Sequence, residues 1–362
     1  MNLLEHEIHY PLADRMPVAG SCLEVAPGIK WIRMGLPFAL DHINLWLLRD
    51  RFDDGAGARD GWTVVDCCVA SDTSRAQWEQ IFAEQLEGLP IVRVLVTHMH
   101  PDHIGLAHWL CSRWQAPLWI SATDYYTALV ACNPSASHNL EGGARNAAFY
   151  ERHGLDEPGF LQHVLQRTAY YPQLVPELPG SFRRLMDREP LSIGAHRWEC
   201  IAGYGHAPEH MALYCAELQV LISGDMVLPR ISTNVSVHAN EPQGDPLGWF
   251  LDSLQRYLPL PEDTLVLPSH GKPFVGLHTR IRQLEDHHAA RLDEVRAACA
   301  QGPTNAAKVM QVMFRRTLDA HQQTFALGEA LAHLNYLWRR GEIQRHDRDG
   351  HCTFTSVACQ TQ

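Results

Sequence analysis

The chain has 362 residues, 46% of them hydrophobic, and a formal net charge of −11 at pH 7. That length holds one large domain or two ordinary ones, and that composition builds a core and excludes a disordered chain. The negative balance disfavours broad affinity for nucleic acid or an anionic membrane, while leaving room for a local basic groove.

The first 20 residues intersperse acids with apolar residues and contain no continuous apolar h-region. They predict no signal peptide, and no apolar run is long enough to span a bilayer. A cytoplasmic protein without a membrane partner is expected. The ten cysteines show no C-x-x-C pair and no regular spacing, which predicts reduced, mostly buried thiols. "CLEVAPGIKWIRMG" reads as a hairpin around Pro27-Gly28. "INLWLL" and "WTVVDC" read as strands flanking "RDRFDDGAGARDG", a loop rich in Gly and Asp. "RAQWEQIFAEQLEG" has helical spacing and a terminal Gly88. "IVRVLV" is a continuous apolar strand of the kind buried on both faces. Beyond it Ile104, Ala107, Leu110, Cys111 and Trp114 recur at helical spacing, and "PLWIS" is a short strand. The alternation of strand and helix predicts a layered α/β architecture.

Residues 123–190 break that rhythm and read as a mainly helical, polar-aromatic segment. Strands resume with "HRWECIAG", "MALYCA" and "VLISGD". A helix follows at "DPLGWFLDSLQRYL", with Asp245 as N-cap and Pro246 at the first helical position. "TLVLPS" is a last strand, and 278–299 a long charged helix. "QGP" at 301–303 marks a boundary. Two helices and a hairpin around Asp349-Gly350 then give the layout of a small winged-helix module. Residues 301–362 carry a net charge of +2, so the preceding 300 residues carry −13.

The chemistry concentrates in "VRVLVTHMHPDHIG". His98, His100 and Asp102 are spaced by two and point to one side wherever the backbone is extended; His103 breaks that parity. A solvated histidine-rich loop is the plain alternative, and four ligand-type residues within six positions argue against it. Imidazole and carboxylate together suit zinc, iron or manganese better than calcium or magnesium. Three further apolar runs end in a ligand-type residue: His206 in "GYGHAPEH", Asp225 in "VLISGDMVLP" and His270 in "TLVLPSHGKP". Layered α/β sheets gather their sites at strand ends in this way.

These residues resemble the metallo-β-lactamase-fold hydrolases, of the glyoxalase II and β-lactamase-like type. "THMHPDHIG" matches their H-x-H-x-D-H signature. "GHAPEH" resembles their G-H-T-P-G-H segment, with Ala207 and Glu209 replacing Thr and Gly. "SGD" and "SHG" match the two later ligand motifs, and "VVDCC" resembles an early strand ending in Asp-x-Gly, with Cys68 where Gly is usual. The resemblance covers about residues 20–300. It implies an α/β fold, a four-layer αββα sandwich. It implies one divalent metal on His98, His100 and His206 and a second on Asp102, His103 and His270, with Asp225 bridging. Zn²⁺ is the expected ion, with Mn²⁺ or Fe²⁺ as alternatives. Asp102 and Asp225 are the expected catalytic carboxylates, and two such metals activate a shared water. Asp66 is expected to orient a ligand by hydrogen bonds, and His210 to do so or to donate a proton. His42 and Arg230 are candidates for substrate contact, against a plain turn and a surface salt bridge.

The expected organisation is therefore a catalytic domain at 1–300, with 123–190 as an inserted helical cap, and a winged-helix-like module at 301–362. The cap aromatics Tyr125, Tyr126, Phe149, Tyr150, Phe160, Tyr170 and Tyr171 either wall a substrate pocket or pack the cap. The expected function is hydrolysis of a small-molecule ester, thioester or lactone, with a metal-bridging hydroxide as nucleophile. A single-stranded RNA endonuclease and a mononuclear iron sulfur dioxygenase are the alternatives. A small-molecule substrate is the expected partner rather than nucleic acid. The apolar face of "ALGEALAHLNYLWRRG" needs cover, from its own core, the catalytic domain or a second subunit in a homodimer.

Overall fold

The computed structural model describes residues 3–55, 57–133, 142–167 and 170–357. By packing, the chain forms two compact units. The first holds residues 1–132, 171–233 and 253–281; the second holds 133–170, 234–252 and 282–362. The segment 123–190, read above as one inserted cap, is shared between them.

The first unit contains two sheets. β1 (Leu23–Ala26), β2 (Ile29–Gly35), β3 (His42–Asp53), β4 (Ala58–Val65), β5 (Ile91–Leu95), β6 (Leu118–Ser121) and β7 (Arg183–Leu185) lie side by side in that order. β8 (Pro190–Ile193), β9 (His196–Gly203), β10 (His210–Cys215), β11 (Val220–Gly224) and β12 (Leu265–Pro268) form the second sheet, in the order β12-β11-β10-β9-β8. Their inner faces make one core. Trp31, Trp46, Leu48, Val65 and Trp119 of the first sheet pack with Trp198, Cys200, Met211, Leu213 and Ile222 of the second. The inward residues alternate along each strand, as a two-sheet core requires. The helix Ala107–Trp114 packs on β5, and the helix Asp72–Glu84 starts at Ser71, whose side chain accepts from the Ser74 amide. This is the αββα sandwich that the sequence led us to expect.

Two stretches differ from the sequence-based reading. The expected loop over 49–61 is mostly strand: β3 and β4 stay paired from Trp46↔Val65 out to Asp53↔Ala58. Most of the Gly and Asp residues that suggested a loop lie on an exposed hairpin arm, where pairing needs no apolar face, while Asp50 and Gly61 are buried at its base. Strands also resume before "HRWECIAG", at β7 and β8, which are short and partly exposed.

The arginine inside the apolar run of β5 ties the two sheets together. Arg93 and Asp50 are both buried, with Arg93 Nη2 2.6 Å from Asp50 Oδ2. Arg93 also donates to Thr63 Oγ1 and to the Ser192 carbonyl, and the Gly194 amide donates to Asp50 Oδ1. Its guanidinium lies 4.4 Å from the Trp119 ring centroid. One ion pair of the first sheet thus holds the β8–β9 turn of the second.

In the second unit, helices Gly143–Arg152 and Pro158–Gln166 pack together through Phe149, Tyr150 and Phe160. Helices Ala306–Met313 and Ala320–Arg339 precede the hairpin β13 (Ile343–Arg348) and β14 (His351–Ser356). Asp319 and Gln322 form a capping box on the longer helix. Ala330, Leu331, Leu334 and Leu337, the apolar face noted in the sequence, are fully buried within the chain, and Trp338 is partly so. Among the described residues no helix is long and apolar enough to cross a membrane, and the nine described cysteines are all free.

Asp50→Ala would leave Arg93 buried and unpaired. Urea unfolding should show a loss of about 3–5 kcal/mol. Replacing Asp50, Thr63 and Arg93 together by apolar residues of similar volume should recover most of it.

Candidate metal centre

The seven ligand-type residues singled out in the sequence converge at one end of the sandwich. His98, His103, Asp225 and His270 are buried; His100, Asp102 and His206 are half-buried. His98 Nε2 lies 2.8 Å from His100 Nδ1 and 3.2 Å from His206 Nε2, and His100 Nδ1 lies 3.0 Å from His206 Nε2. Around a second point, His270 Nε2 is 3.5 Å from Asp102 Oδ2, and His103 Nε2 is 3.7 Å from the same oxygen. Asp225 spans both groups: Oδ2 is 3.2 Å from His206 Nε2, while Oδ1 is 3.6 Å from His103 Nε2 and 3.4 Å from His270 Nε2.

The opposite ring nitrogens fix which nitrogen faces inward. His103 Nδ1 donates to Asp66 Oδ2 at 2.8 Å, and His270 Nδ1 donates to the His42 carbonyl at 2.7 Å. Thr97 Oγ1 gives its proton to Asp66, so it accepts from His98 Nδ1 at 3.0 Å. In each case Nε2 is the nitrogen turned to the centre. Burial, and then the neighbouring imidazoles of His103 and His100, holds His98 well below the usual histidine range, which keeps its Nε2 lone pair available.

These contacts test whether a metal fits. Ring nitrogens of five imidazoles and oxygens of two carboxylates face one another at 2.8–3.7 Å. His103 Nε2 and Asp225 Oδ1 are buried without a hydrogen-bond partner. Buried acceptors of this kind are costly unless a cation or protons lie between them. Mixed nitrogen and oxygen donors are the chemistry of zinc, manganese and iron.

Other predicted residues take supporting places. Asp66 is buried and also accepts from the Thr97 amide at 2.8 Å. His210 Nε2 accepts from the Asp225 amide at 3.2 Å, and burial, followed by the His206 charge, pushes its pKa down to about 3. This contact props the backbone of Asp225. His42 accepts from the Gly271 amide through Nε2 and faces Asp41 Oδ1 through Nδ1 at 2.7 Å. Its carbonyl aims His270, so its contact is with a ligand loop. Arg230 pairs with Glu5 at 3.2 Å and is about half exposed, as the salt-bridge alternative anticipated. Of the aromatics, Tyr171 donates to the Met99 carbonyl between two ligand histidines, and Tyr125 donates to the Pro179 carbonyl. Tyr126 is exposed beside Phe182. Tyr170 lies under the Arg167 guanidinium.

Sequence reasoning missed Thr97, Asp124 and Gly224. Asp124 is buried and accepts from the Met99 and Glu209 amides at 2.9 and 2.7 Å, clamping the loop of His98 and His100 to that of His206. Its signal was the S-x-x-D at 121–124, a helix-start pattern, with Ser121 as N-cap. Gly224 has φ +54°, and a Cβ there would lie 2.0 Å from His210 Nε2. Only glycine lets His210 reach the Asp225 amide.

Thr97→Val should lower metal affinity by about 10–100-fold, the usual effect of losing a group that orients ligands. Thr97→Ser should restore it. Competition with a chromophoric chelator measures both.

The profile of the metallo-beta-lactamase superfamily matches residues 41–131 and 144–270, and that of the metallo-beta-lactamase-like C-terminal domain matches 292–357. A crystal structure of a beta-lactamase domain protein from Burkholderia ambifaria is 51% identical, with a TM-score of 0.89 over 99% of each chain. A metallo-beta-lactamase family protein from Thermus thermophilus is 27% identical, with a TM-score of 0.74 over 92% of this chain and 100% of that one. The probable metallo-hydrolase YqjP of Bacillus subtilis is 25% identical over 316 residues, spanning 84% of this chain and 91% of its own. With its ligand motifs in the family's order and gathered at one sheet end, the chain belongs to the metallo-beta-lactamase superfamily and is a hydrolase of that fold.

Proposed function

We propose that the chain hydrolyses a small-molecule ester, thioester or lactone at a pair of divalent ions, with zinc as the first candidate. His98, His100 and His206 would hold one ion and Asp102, His103 and His270 the other, with Asp225 between them. The observation that carries this reading is the reach of Asp225, whose two oxygens approach opposite groups at 3.2 and 3.4 Å. Bound there, two divalent ions would supply Lewis acidity and an activated water. The chain's own part is orientation. Thr97, Asp66 and the His42 carbonyl hold inward-facing nitrogens in place, and His210 fixes the backbone of Asp225.

The charge of −13 on residues 1–300 favours a small substrate over a polyanionic strand. A complete second ligand set favours two ions over the single iron of a dioxygenase. A cytoplasmic location and action without nucleic acid belong to the same proposal.

After loading with zinc or manganese and desalting, elemental analysis should include two ions per chain that depend on Asp225. Asp225→Ala should lose both and abolish hydrolysis across a panel of lactones, thioesters and esters. Full metal and activity in that variant would sink the bridging assignment. A plateau at one ion in the native chain would return the dioxygenase reading, and selective cleavage of single-stranded RNA in the panel would return the nuclease.

A further inference from the structure

The β9–β10 ribbon carries a second group of metal-ligand atoms, at the end away from the centre. In the antiparallel register Leu213 faces Cys200 and Tyr214 faces Glu199. Extending that register puts Glu217 opposite His196. Cys215, two residues before Glu217, lies on the same face. The structure bears this out: His196 Nδ1 is 2.8 Å from Glu217 Oε2, and the His196, Cys215 and Glu217 ligand atoms all lie within 4.8 Å of one another. The sulfur accepts hydrogen bonds from the Leu218 and Glu217 amides in the turn after β10. Burial outweighs those amides and pushes the thiol's pKa up, so its proton leaves only when a cation takes its place. Glu217 is about half exposed and His196 one-third exposed, so the group opens to solvent on one side.

We propose that His196, Cys215 and Glu217 form a separate zinc site with three protein ligands and an open fourth position. Thiolate, imidazole and carboxylate together select zinc or cobalt over magnesium or calcium. Bonds of about 2.0–2.3 Å would draw the three atoms together with small side-chain movements. Binding replaces the thiol proton, which leaves to solvent, and no electron is transferred. The ion would clasp the β8–β9 and β10–β11 turns. His210 and Cys215 stand at opposite ends of β10, roughly 17 Å apart, so the two sites are independent.

Cobalt distinguishes them, because none of the seven residues of the principal centre is a thiol. Protein already loaded at that centre should take up one further equivalent of Co²⁺ during titration. An intense sulfur-to-cobalt charge-transfer band should grow with it in the near ultraviolet. Cys215→Ser should abolish the band. His196→Gln and Glu217→Gln, which alter partly exposed side chains, should weaken uptake at least tenfold and leave hydrolysis unchanged. These two variants carry the test if Cys215→Ser fails to fold. Cobalt uptake without a sulfur band, or a band that survives both of them, would overturn the proposal.

Discussion

Five imidazole nitrogens and two carboxylates aimed into one small volume repel each other unless positive charge stands among them. The end of the sandwich is organised around that constraint. His98 and His100 follow β5, His206 follows β9, Asp225 follows β11 and His270 follows β12, so parts remote in sequence must hold hostile acceptors in register. Four of the seven are braced from behind. Thr97 takes His98, Asp66 takes His103, the His42 carbonyl takes His270, and His210 takes the Asp225 amide. Cations, when bound, turn that repulsion into attraction. The bracing limits what must be reorganised at that moment.

The braces depend in turn on the sandwich. Met211 donates to the Thr97 carbonyl, linking the start of β10 to the loop after β5. Asp124 joins the same loop to the one carrying His206. Asn44 donates to the Pro268 and Gly271 carbonyls on either side of His270. Farther from the centre, the Arg93–Asp50 pair joins the sheets through Ser192 and Gly194. The apolar core supplies most of the stability by area. These buried polar links set the relative position of the two sheet edges, which a non-directional force cannot do.

This division explains what was legible in the sequence. Candidate ligands announce themselves because imidazoles and carboxylates clustered at strand ends are rare, and the seven residues named from the chain do come together in space. The apolar strands were legible by their runs, as in β5 and β11. The braces were not. Thr97 beside a histidine, Asp124 in a helix-start pattern and Asn44 within an apolar strand are common residues in common settings; only tertiary partners give them their roles. The long arm of β3 and β4 was read as loop because Gly and Asp carry the local signal for a turn, while cross-strand pairing overrides it. The cap aromatics carried no information about which unit they would join. Tyr171 supports a ligand loop, whereas Phe149 and Tyr150 pack within the second unit.

Backbone strain marks where geometry outranks stability. Asp66 and Cys68 follow β4 with φ of +64° and +68°, a region that costs a non-glycine residue about 1–3 kcal/mol. At Asp66 the conformation lets one carboxylate take the Thr97 amide, the Thr97 hydroxyl and His103 together. Asparagine could keep some of these bonds, but not the charge that favours a proton on His103 Nδ1 and a lone pair on Nε2. Cys68 makes the departure from glycine intelligible. Its thiol is buried against Ser74 Oγ at 3.4 Å, and burial pushes its pKa up to about 12, so it fills space as a neutral group. Glycine there would relieve the strain but leave a void beside the helix Asp72–Glu84. Close by, a Cβ on Gly105 would lie 2.6 Å from the Cys68 carbonyl, so the helix bearing His103 can approach this turn only through a glycine. The strained turn, the small residue facing it and the ligand behind it form one unit, in which a change at any member must be absorbed by the other two.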